Sequence, residues 1–67
     1  MKYEVDQVVV ALVDDQGMKR DEQFVVRDVA MRRTFVGTFL TYTLRSVVDG
    51  RVLHVGNGHL VLAAVRS

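Results

Sequence analysis

Apolar and polar positions in this chain alternate with the period of strands, most clearly from Thr38 to Leu44. There Leu40, Tyr42 and Leu44 fall on one face and Thr41 and Thr43 on the other. Successive strand side chains point to opposite faces, and β-branched threonine favours pleated backbone. The stretch predicts a strand with Tyr42 turned inward. Gln7 to Val13 is a nearly unbroken apolar run, the pattern of a central strand buried on both sides or set at a barrel seam. Asp14-Asp15-Gln16-Gly17 ends it with turn residues. A polar loop, Met18 to Gln23, leads into a strand from Phe24 to Val29, where Asp28 breaks the alternation and marks a bulge. Arg32 and Arg33 are expected on a loop or bend before Phe35 and Val36, with Gly37 opening the next strand.

Downstream, Asp49-Gly50 lies between β-formers, the signature of a hairpin whose two-residue turn has positive φ at both positions. A strand from Arg51 to Val55 then folds back on the one ending near Val48. Gly56-Asn57-Gly58 breaks the chain, with room for a short 3-10 turn near Gly56–His59. Leu60 to Val65 reads as the last strand, with Leu60, Leu62 and Ala64 on one face. A helix over Asp21 to Arg33 is the alternative. Its apolar positions Phe24, Val25, Val26 and Val29 are β-branched or aromatic, which argues against it. Five short antiparallel strands in 67 residues should curl on themselves, because a flat sheet leaves open edges and a wet face. The expected fold is all-β: a single small five-stranded barrel domain over residues 1–67.

Two segments carry a family resemblance. The opening, Asp6-Gln7-Val8-Val9-Val10-Ala11-Leu12 followed by Gly17 to Glu22 and Phe24-Val25-Val26, resembles that of an SH3-like small barrel. The ending, with its Asp-Gly hairpin, Gly-Asn-Gly turn and final Leu60-Val61-Leu62, is similar too. Small uncharacterised bacterial and phage proteins share this layout. The resemblance implies a small barrel and a binding role; Asp6-Gln7 stands where many such barrels carry Gly-Asp, and tryptophan is absent, which argues against a proline-rich ligand.

Composition adds bounds. Apolar residues are 49% of the chain, enough to drive folding. Cysteine is absent, which excludes a disulfide framework and a thiolate zinc site. Lys2, Glu4 and Asp6 interrupt the N-terminus, and Val8 to Val13 is too short for a signal core or membrane span. The cytoplasm is the expected compartment. The net charge of +1 hides an asymmetry: seven acids against four bases up to Asp28, then five arginines against Asp49 alone. Such asymmetry can mark a binding face, and antiparallel pairing can cancel it.

Candidate chemistry is sparse. His54 and His59 lack the further ligands of a closed metal site; His54 is expected on an exposed strand face and His59 against the glycine turn. Ser46 and Ser67 have no nucleophile context. Asp14-Asp15 and Asp21-Glu22 read as solvated turn acids, and Gly56-Asn57-Gly58 lacks the third glycine and following helix of a dinucleotide site. No catalytic, metal or cofactor site is expected, and the chain is read as a non-enzyme. The favoured role is association with a protein partner or with itself, through an exposed Phe39 beside threonines, near Val36 and Val47. The alternative is nucleic-acid binding, with Arg32, Arg33, Arg45 and Arg51 on phosphates and Phe35, Phe39 or Tyr42 as a stacking face. Against it, Tyr42 and Phe35 are expected to fill the core.

Overall fold

The alternation around Tyr42 is realised as the longest-paired strand of the molecule. A computed structural model describes residues 3–56 and 58–65. In chain order these form β1 (Val8–Ala11), β2 (Gln23–Thr34), β3 (Gly37–Ser46), β4 (Val52–Gly56), a helical turn α1 (Gly58–Val61) and β5 (Leu62–Ala64). All pairings are antiparallel, in one sheet of order β4-β3-β2-β1-β5. The fold is all-β with five strands. The sheet is open rather than closed into a barrel, with β4 and β5 as its edges.

Both edges still contribute to one core. Val55 of β4 and Leu62 of β5 join Val9, Phe24, Val26, Tyr42 and Leu44, all at most 2% exposed. These residues alternate along their strands, so one face of the curved sheet is buried and the other wet. The expected bulge is present: Val26 pairs with Leu44 but Asp28 pairs with Thr43, leaving Arg27 as the extra residue. The insertion flips the facing of everything after it. Phe24 and Val26 point inward before it, and Val29, opposite Tyr42, points inward after it.

Tyr3 closes one end of the core. Its hydroxyl donates to the Leu62 carbonyl at 2.7 Å, and its ring meets Tyr42 edge-on with centroids 5.5 Å apart. The Tyr42 hydroxyl is buried without a hydrogen-bond partner among the described residues.

Several local expectations are corrected. β1 is only Val8–Ala11, its residues alternating half-buried and buried; Leu12 and Val13 are exposed where the chain bends toward Asp14. Arg32 and Arg33 lie inside β2, opposite Phe39 and Thr38, and the Asp21–Arg33 segment holds no helix. The Asp49-Gly50 connection is wider than two residues. β3 stops at Ser46, whose N–H donates to the Arg51 carbonyl at 2.8 Å, so Val47 to Gly50 form the loop. Only Gly50 takes positive φ (74°), because Asp49 instead turns its carboxylate onto the Arg51 N–H at 2.9 Å. The last strand is Leu62–Ala64; Leu60 sits in α1, an α-helical rather than 3-10 turn, and is exposed. Asn57 and the side chain of His59, with the contact expected of it, lie outside the described residues.

Candidate functional site

β2 and β3 are 12 and 10 residues long, whereas their neighbours are short. β1 covers β2 only from Gln23 to Val25, with Gln7 and Asp6 bonded at Val26. β4 covers β3 only as far as Thr41. Beyond these points the two long strands continue as a bare antiparallel ribbon that sets the long axis of a body measuring 37 × 22 × 19 Å.

The ribbon ends in a two-residue turn, Phe35-Val36, between paired Thr34 and Gly37. The Thr34 hydroxyl accepts from the Val36 N–H at 3.3 Å and donates to the Gly37 carbonyl at 3.1 Å. Neither turn residue has positive φ; the distortion falls on Gly37 at φ 145°. This geometry throws the tip side chains into water. Phe35, expected in the core, is 103% exposed, Val36 73% and Met31 64%. Phe39 is exposed as expected, at 38%.

Strand pairing sorts the ribbon into two faces. Asp28, Ala30 and Arg32 share one with Thr43, Thr41 and Phe39, while Val29, Met31 and Arg33 share the other with Tyr42, Leu40 and Thr38. Arg32 and Arg33 therefore point to opposite sides. Arg45 stands six positions along β3 from Phe39, about 20 Å at 3.3 Å per residue, and lines an open depression with Arg27 and Asp49. Tyr42 is fully buried and offers no stacking face.

Arg51 is committed elsewhere. Its guanidinium donates to both Glu22 carboxylate oxygens (3.0 and 3.1 Å), to Asp49 Oδ2 (2.9 Å) and to the Gly17 carbonyl (3.1 Å). Glu22 also accepts from the Ser46 hydroxyl at 3.1 Å and the Lys19 N–H at 3.2 Å. This clasp ties the Gly17 turn, the entry to β2 and the β3–β4 loop together. Gly17 fits it through φ 88° and an approach that would put a Cβ 3.2 Å from Leu53.

The clasp sets an acid response. Partial burial pushes the Glu22 carboxyl up, but the Lys19 N–H, the Ser46 hydroxyl and Arg51 together outweigh it and hold the group below its ordinary 4.5. The Arg51 N–H, helped by the guanidinium charge, holds Asp49 below its ordinary 3.8. A carboxyl lowered by folding stabilises the native state above its unfolded value, and that contribution disappears as pH falls through the folded value. The melting temperature should therefore drop as pH is lowered past 4.5 and 3.8. Glu22→Gln should flatten the upper part of that drop in a calorimetric pH series.

Other candidates stay local. His54 sits 3.2 Å from Thr43 Oγ1 on the wet face. Asp14 and Asp15 accept from the N–H groups of Arg20 and Gln16, so both serve the turn. No family model, curated protein or solved structure matches this chain. No helix among the described residues is long and apolar enough to cross a membrane. The exposed ribbon is the feature that the packing of the core does not account for.

Proposed function

We propose that this chain is a non-enzymatic protein-interaction module of the cytoplasm, built on an SH3-like small barrel and docking through the β2–β3 ribbon. The observation that carries the reading is Phe35, wholly exposed at the tip of a ribbon with exposed Val36 beside it, Met31 on one face and Phe39 on the other. An isolated two-stranded ribbon is marginally stable in water, and clustered exposed apolar side chains mark contact surfaces. Support for the barrel comes from β5 returning beside β1 while β4, at the opposite edge, packs into the same core. Absence of cysteine suits a reducing compartment.

A protein partner fits better than nucleic acid. The arginines expected to act together are dispersed: Arg51 is held by Glu22 and Asp49, Arg45 is at the ribbon base, and Arg32 and Arg33 diverge. Asp28 also stands on the face of Arg32. Among the described residues no continuous basic stripe tracks a phosphate backbone, which such binding requires.

A photo-crosslinking residue at position 35, with a control at exposed Gln23, tests this in cells. The expected result is a discrete, nuclease-resistant protein adduct at 35 and none at the control. A nuclease-sensitive adduct, or equal labelling at both positions, would overturn the reading.

A further inference from the structure

Resting on the reading of the ribbon as a docking element, we infer that its partner is a second copy of this chain, added antiparallel along the free edge of β2. Past Val26 that edge has no strand beside it among the described residues, and its backbone is bonded on the β3 side only. An exposed strand edge is a template for another strand. Natural edges are blunted by proline, by bulges and by charged side chains; β2 has no proline, its bulge at Arg27 marks where the free stretch begins, and two of its charges past that point, Asp28 and Arg32, are of opposite sign.

The sequence of the edge is complementary to its own reverse. Two copies of one strand meeting about a two-fold axis must place each residue opposite its mirror position. With Ala30 at the centre, Ala30 faces Ala30, Val29 faces the copy's Met31, and Asp28 faces the copy's Arg32, the last two pairs each occurring twice. Facing is consistent, because Asp28, Ala30 and Arg32 already share one side of the ribbon and Val29 and Met31 the other. Asp28 and Arg32 are exposed and make no salt bridge among the described residues. Met31 would lose its 64% exposure against the copy's half-buried Val29.

Neighbouring registers are worse. Centring on Met31 sets Arg33 against Val29 and leaves Asp28 opposite Thr34. Centring on Arg32 sets like charges face to face, which is destabilising. Centring on Val29 sets Asp28 against Ala30 and the bulged Arg27 against Met31, so neither charge meets an opposite one. Over Asp28 to Arg32 the Ala30 register alone sets opposite charges together and apolar with apolar, and the next pair, Arg27 against the copy's Arg33, ends it. Addition then runs from Asp28 to Arg32 and stops at the bulge, short enough for a reversible dimer.

Charge reversal with rescue tests it. In sedimentation velocity over a concentration series, the natural chain should dimerise. Asp28→Arg alone and Arg32→Asp alone should each weaken the dimer about tenfold or more, since two attractive cross-strand pairs become repulsive. The double variant should return the dissociation constant to within a few-fold of the original. Both residues are exposed, and an unchanged amide NMR fingerprint of the body confirms folding. A chain that stays monomeric at millimolar concentration, or a dimer indifferent to either reversal, overturns the inference. The docking reading fails separately, through the crosslinking at position 35.

Discussion

Replacing Phe24 by alanine should leave the chain largely unfolded at room temperature. Phe24 is fully buried where β1, β2 and β3 meet, opposite Val9 on one side and Ser46 on the other. Truncating a buried phenylalanine costs about 3–5 kcal/mol, part lost transfer energy and part cavity. A core in a chain this short rarely supplies more than about 3–5 kcal/mol in total. The two amounts are equal in size, so little native population remains. A collapsed amide dispersion in the NMR spectrum and a lost melting transition are the expected observations. A variant that melts cooperatively near the parent temperature would show that the packing around β2 is looser than described.

The second large effect concerns the two tyrosines, which look alike in sequence and should behave oppositely. Tyr3→Ala should cost about 3 kcal/mol, because the ring closes the core against Tyr42 and its hydroxyl bonds the Leu62 carbonyl. Tyr3→Phe isolates the hydrogen bond and should cost about 1 kcal/mol. Tyr42→Phe removes a buried hydroxyl that has no partner among the described residues, and should be neutral or stabilise by up to about 1 kcal/mol. Urea midpoints for the three variants check the set. Equal losses for the two phenylalanine variants would mean that both hydroxyls are satisfied in solution.

How far these features were legible in the residues follows from where burial imposes a pattern. The inward facing of Leu40, Tyr42 and Leu44 was readable because β3 buries one side there, and so was the bulge at Asp28, because it interrupts that same alternation. Past Val29 the strand has no core to face, so hydrophobic contrast fades and Arg32-Arg33 reads as a bend although it is paired backbone. Phe35 reads equally as a core residue or a stacking face, because its place depends on a two-residue turn that Thr34 and Gly37 make and that carries no Asn-Gly or Asp-Gly signal. Leu60 to Val65 was ambiguous for another reason: a short apolar run has no period by which to separate a helical turn from a strand. Of the candidate site residues, Arg32 and Arg33 on β2 do lie beside Phe39 on the paired β3. Arg45 and Arg51 were grouped with them by charge, and charge in sequence carries no information on which arginine a carboxylate has already claimed.

The extra residue at Arg27 has a consequence for how the chain can change over time. A strand without it would keep one phase from Gln23 to Thr34, and would turn Asp28, Ala30 and Arg32 to the side of Phe24 and Val26. With it, the two halves of β2 keep separate phases. The arm can exchange its side chains for a new partner while the packing beneath Phe24 and Val26 goes undisturbed.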